Sequence, residues 1–203
     1  MSLSTIVGLG GHALLITAIV LRLGYAFNLK DNHRYILISI GLLLALTPFG
    51  DLSAAQVTRG IFGDLSIISL ILLGRFILLP QAPRAQTREL FILVVIAGVL
   101  FYPAALGLGM LDPYQWGYMN TYRGIAAPMI FLSAMVGLLL IALARDNTVV
   151  ILCITVALAA FALGIMESKN IWDYLIDPLV VIFGLVTLGI HYVKQIMGKL
   201  RAT

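Results

Sequence analysis

The chain has 203 residues, is 61% hydrophobic and only 11% charged, and carries a formal net charge of +4 with mean hydropathy +1.05. A soluble domain carries about 25% charged residues, so an ordinary water-soluble globule is excluded. The placement of the basic residues fits a positive-inside bias rather than binding to nucleic acid.

Runs without any charge cover 1–21, 35–50, 90–111, 124–144 and 147–166. Several reach the roughly 20 residues needed to cross a hydrocarbon core about 30 Å thick. The sequence therefore predicts an all-α fold: a polytopic transmembrane helix bundle of about seven spans, one domain over 1–203 with no extramembrane domain. Any site must then be built from helix ends and short loops. Cys153 is the one cysteine and lies in an apolar run, so it reads as a buried, inert thiol. The first residues lack the basic region of a signal peptide and read as a retained span.

Span 1 is expected over 5–27, with Gly8, Gly10, Gly11 and Ala13 allowing another helix to approach closely, and Arg22 near its far end. A polar turn over 28–34 leads to a short span 2 over 33–47, stopped by Pro48 and Gly50. Such a short span either accommodates to the bilayer or points to a binding site. An interfacial connection over 51–59 leads to span 3 over 60–79, with Asp64 one turn inside it. A loop over 80–88 ends with Thr87 as candidate N-cap of span 4, which runs to about 108. The segment 111–124 is the longest polar interruption in the second half. Span 5 covers 124–144, and Asp146 or Asn147 caps span 6 over 147–166. After a connection over 167–177, Asp177 and Pro178 form a cap-plus-proline start for span 7, ending near 197.

Seven spans put the termini on opposite sides. With the N-terminus outside and the C-terminus inside, ten bases fall inside against three outside, and six of the nine acids fall outside. The inner face is then +7 and the outer face −3. That orientation predicts a location in the cytoplasmic (inner) membrane.

Two short echoes recur. Phe-Gly-Asp-Leu-Ser stands at 49–53 and 62–66, and Arg-Gly-Ile at 59–61 and 123–125. They hint at hairpin units arranged alike, or at chance in so apolar a chain.

The outer face is the candidate site for a substrate or partner. It gathers Asp51, Arg59, Asp64, Asp112, Arg123, Glu167 and Asp173 with two aromatic groups. One group is Tyr114, Trp116, Tyr118 and Tyr122; the other is Trp172 and Tyr174. Rings beside carboxylates suit a sugar or a cationic group, and Arg59 and Arg123 at helix heads suit a phosphate. Interfacial belts and helix capping explain the same residues without a ligand.

The remaining residues point away from cofactors. His12 and His191 lie at different depths, which disfavours shared haem ligation, and each reads as a packed histidine with a carbonyl or hydroxyl partner. There is no metal motif, no phosphate loop and no nucleophile elbow, so no cofactor, no metal and no catalytic residue is assigned. Lys30, Lys169, Lys194 and Lys199 all fall in loops or at span ends, which argues against a retinal Schiff base. Three readings remain. The first is a non-enzymatic protein binding or moving a small polar or lipid-linked solute. The second is a non-catalytic subunit packing on other membrane subunits or on its own copies. The third is an intramembrane enzyme acting on a lipid or lipid-linked sugar. A solute binder should bring Asp64 and Asp112 to one open cavity, and a subunit should leave them dispersed.

Overall fold

A computed structural model describes residues 1–27, 29, 33–79, 84–108, 110, 112–119 and 126–200, with backbone alone at 84 and 126–128. Arg123, Tyr122, most of the turn at 28–34 and much of the loop at 80–88 lie outside the described residues.

Among the described residues the fold is all-α apart from one hairpin of two-residue strands. Helix α1 spans Leu3–Ala26, and Ser2 caps it by accepting from the Thr5 amide. Helix α2 spans Arg34–Leu46, about 20 Å of rise. Strands β1 (Pro48–Phe49) and β2 (Leu52–Ser53) pair antiparallel, and α3 follows over Ala54–Phe62.

The expected span over 60–79 is not one helix. Helix α3 ends at Phe62, Gly63 takes φ +73°, and α4 begins only at Ile67, running to Leu78. Asp64 therefore lies in an extended link rather than one turn inside a span. The repeated pentapeptide explains the break. In both copies the glycine adopts a left-handed φ, +74° at Gly50 and +73° at Gly63. In both the serine is an N-cap: Ser53 accepts from the Gln56 amide and Ser66 from the Ser69 amide. The Ser53 cap is a full capping box with Gln56.

Helix α5 spans Arg84–Pro103. Thr87 lies inside it and is not its cap. Pro103 has no amide to continue the ladder, and a π turn over Ala104–Leu108 closes the helix with Gly107 at φ +82°. A 3-10 turn covers Gln115–Gly117. Helix α6 spans Ala126–Ala144 and α7 Thr148–Ala162, capped by Asn147 on the Val150 amide as expected. Helix α7 stops four residues short of the expected end, just before Gly164 at φ +62°. Helix α8 is a single turn, Trp172–Leu175, and α9 spans Pro178–Leu200.

Contacts at helix ends show which ends lie together. Arg34 at the start of α2 donates to the Ile77 carbonyl at the end of α4. Phe101 of α5 and Phe131 of α6 both meet Trp172. The segments Leu3–Ala26, Ala85–Leu108 and Pro178–Leu200 are long and apolar enough to cross a membrane.

Packing differs between the two halves, which meet through a cluster of Ala18, Leu21 and Leu37 with Ile77 of α4. Helices α1 and α2 approach through glycine: a Cβ on Gly41 would stand 2.6 Å from the Thr17 Cα. Where α1, α2 and α3 meet, the core is Ala13, Ala45 and Ala55. The α4–α9 region has one large core containing Leu90, Phe91, Val94, Ile154 and Tyr174.

Candidate functional site

The end of the bundle that holds α3 and the segment 166–177 gathers most of the charged and aromatic residues singled out from the sequence. Its first element is a clasp. Arg59 donates from Nε to Asp64 Oδ1 at 2.6 Å and from Nη2 to Asp64 Oδ2 at 3.1 Å, a two-pronged pair. The same Nη2 reaches Glu167 Oε1 at 3.1 Å, joining α3 to a loop 108 residues away. Hydrogen bonding to Asp64 holds the Arg59 guanidinium above its ordinary range, opposed by partial burial and assisted by Glu167. Gly8 makes room: a Cβ there would stand 2.3 Å from Asp64 Oδ1. One turn deeper, His12 is fully buried with Nε2 2.8 Å from the Gly63 carbonyl, the carbonyl partner the sequence reading gave it.

Asp177 forms the second element. As expected it caps α9, accepting from the Val180 amide at 2.9 Å. Its other oxygen accepts from the Ser66 amide, the Ser66 hydroxyl and the Ser69 hydroxyl, at 2.9, 2.7 and 2.5 Å. One carboxylate, 6% exposed, therefore serves the N-termini of two helices, where the partial positive charge of each favours an anion. Sequence spacing showed only the local half of this role. The signal for the other half was the Ser66/Ser69 pair opening α4, but nothing in the sequence links it to a residue 111 positions away.

The third element docks two loops. Tyr114 donates its hydroxyl to Asp173 Oδ2 at 3.0 Å, and Ser168 donates to the same oxygen at 2.5 Å. Trp172 Nε1 donates to the Pro113 carbonyl, and Asn170 Nδ2 to the Tyr114 carbonyl, both at 2.8 Å. A Cβ on Gly117 would overlap Asn170 Oδ1 at 1.8 Å, so the loops touch backbone to side chain. Burial, then the neighbouring Asp173 charge, push the Tyr114 hydroxyl above its ordinary range. Burial does the same to Tyr174, partly offset by its bond with the Met166 backbone.

Of the predicted residues, Arg59, Asp64 and Glu167 come together, and Tyr114, Trp172 and Asp173 come together. Tyr118 stacks edge-on against Tyr114 with ring centroids 5.6 Å apart. Trp116 is half-buried in the 3-10 turn. Asp112 is exposed and accepts from the Tyr114 amide, a local turn contact. Asp51 is exposed at the tip of the β1–β2 hairpin. Among the described residues, Asp64 and Asp112 share no partner. Arg123 lies outside the described residues.

The opposite end carries a smaller polar set. Asn147 Nδ2 donates to Glu89 Oε2 at 2.9 Å, and Arg88 and Gln195 both approach His191 Nε2 at 3.1 Å. No group of three or more metal-binding side chains occurs among the described residues. Compared with protein-family models, with curated proteins and with solved structures, the chain matches none.

Proposed function

We propose that the chain is a multi-pass protein of the cytoplasmic membrane that crosses seven times, N-terminus out and C-terminus in, and serves as a non-catalytic subunit of a larger membrane assembly. One observation carries the reading: the polar groups at the α3 end engage one another rather than converge on an open site. Arg59 holds two carboxylates, Asp173 holds Tyr114 and Ser168, and Trp172 Nε1 holds a backbone carbonyl. Saturated partners of this kind make a rigid surface. The carboxylates left facing outward are Asp51 and Asp112, with Glu167 half-free at 61% exposure. A base-rich partner surface complements them.

Native mass spectrometry of the chain extracted in mild detergent from its own membranes tests this. The expected result is a stable hetero-complex that is lost when Asp51, Asp112 and Glu167 are all changed to lysine. A chain found alone, or a complex indifferent to the three reversals, overturns the reading.

A second reading, binding or moving a small polar solute, is favoured by the interruption between α3 and α4. Interrupted helices are where transporters of several folds build their sites. Solute-dependent protection of the link at 63–66 from hydrogen exchange, abolished by Asp64→Asn, would select it over the first.

A further inference from the structure

His12 is the one buried polar side chain with an unmet atom among the described residues: Nδ1 has no hydrogen-bond partner. Its Nε2 faces the Gly63 carbonyl at 2.8 Å. A carbonyl only accepts, so Nε2 carries the proton and Nδ1 holds a bare lone pair. Orphaned buried groups are rare and call for a functional explanation.

Side chains on a helix lean toward its N-terminus, so the His12 ring lies over the turn that contains Gly8. The Arg59–Asp64 pair occupies that turn, since a Cβ on Gly8 would meet Asp64 Oδ1 at 2.3 Å and Arg59 Nε at 2.5 Å. Charged groups reach this place from three neighbouring segments. Helix α3 brings Arg59, the link brings Asp64, and the loop brings Glu167 through Arg59. Helix α4 brings Ser66 and Ser69, which hold Asp177. The bases of α2 and α4, Arg34 and Arg75, stand at or near the other ends of those helices. The surroundings are net negative, and they contain one guanidinium that proton uptake by His12 would disturb.

We propose that His12 is a proton-operated release for the Arg59 clasp. A proton taken from the aqueous side forms one N–H bond at Nδ1 and turns it from acceptor to donor. The imidazolium attracts Asp64 and repels the guanidinium, and both effects weaken the Arg59–Asp64 pair. Arg59 then keeps only Glu167, whose side chain is mostly in solvent, and α3 loosens from the break at 63–66. This device stands whichever partner or solute the outer face takes.

The test is a spin-label distance between Val57→Cys on α3 and Lys169→Cys in the loop. The full chain carries Cys153→Ala and is held in lipid nanodiscs at about pH 8 and about pH 5, the interval over which imidazoles titrate. A single narrow distance at the higher pH should broaden and lengthen at the lower one, and His12→Gln, which keeps a donor for the Gly63 carbonyl, should lose the response. An unchanged distance, or a response that survives His12→Gln, overturns the proposal. Where His12→Gln does not fold, the carbon-labelled histidine signals of the unsubstituted protein decide. The His12 ring signals should differ between the two pH values, and the difference should shrink in Asp64→Asn. Signals alike at both pH values, or a difference indifferent to Asp64→Asn, refute it.

Discussion

Between α1 and α2 the closest approach is a missing side chain, Gly41 against the Thr17 backbone, and the core beside it is three alanines. Between α5 and α9 the contact is made by bulk: Val181 fills the space over Gly98, and Phe91 packs edge-on against Phe183 at 5.6 Å. Lipid offers little hydrophobic drive for helices to associate, so each pair depends on close packing and polar contacts. The α4–α9 region supplies these internally, through a large core and docked loops. The α1–α3 region has small clusters instead: Ala13, Ala45 and Ala55 at one level, and Ala18, Leu21 and Leu37 with Ile77 of α4 at another. At the α3 end the Arg59 clasp and the His12 contact with Gly63 add polar links. The difference teaches that one region is held by a single large core, the other by close approach, small clusters and polar links at one end.

Substitutions can break this comparison at graded strength. Asp177→Ala removes the cap of α9 and the acceptor that holds Ser66 and Ser69 at the start of α4, leaving several donors unmet, so the largest loss is expected there, about 3 kcal/mol. Equilibrium unfolding in mixed micelles measures it, and Asp177→Asn should recover part. Gly117→Ala drives a Cβ into Asn170 and should undock the two loops at about 2 kcal/mol. It should be visible as a red shift of Trp172 emission while the α1–α3 region stays protected from hydrogen exchange. Gly8→Ala should have the opposite signature, exposing α3 and the link at about 1 kcal/mol. Gly10→Ala, whose Cβ meets nothing within 4 Å, should leave both regions unchanged.

Finer effects sharpen the account. A double-mutant cycle between Arg59→Ala and Asp64→Ala should give a coupling of about 1 kcal/mol, and the cycle with Glu167→Ala under about 0.5 kcal/mol, because Glu167 is largely solvated. Equal couplings would mean that the loop, not the link, holds α3. The Tyr114 hydroxyl is raised in the folded state, so its contribution is complete below the unfolded value of about 10 and declines as pH rises past it. Tyr114→Phe should therefore show a smaller drop in unfolding midpoint between about pH 9 and pH 11 than the unsubstituted chain.

Some of this was legible in the sequence for local reasons. Asp177 before Pro178 and Asn147 after the Arg145-Asp146 turn cap the helices they precede, since an N-cap acts within three residues. The glycine-rich face of α1 announces close approach, and α9 follows from its hydropathy. The break at 63–66 was present in the letters as a repeat, but hydropathy runs straight through Gly63 and Leu65, so averaging hid a turn that one glycine at φ +73° makes. Thr87 misled because a cap signature inside a polar stretch does not say that the helix has already begun at Arg84. The Arg59–Glu167 arm of the clasp, the Asp177 bonds to Ser66 and the loop docking join residues 56 to 111 positions apart, and composition carries no information about such pairs. It did single out Arg59, Glu167, Tyr114 and Trp172 by residue type, without saying which of them would meet.

The claim beneath all of this is that the α3 end of the bundle faces outward and the opposite end inward, across a membrane. Single cysteines placed at Asp51 or Lys169, and at Arg145 or Lys199, in a Cys153→Ala background and treated with a membrane-impermeant maleimide in intact cells, measure it directly. Labelling at Asp51 and Lys169 with none at Arg145 and Lys199 until the cells are permeabilised is the predicted result. Labelling of both ends from outside, or the reverse pattern, contradicts the account.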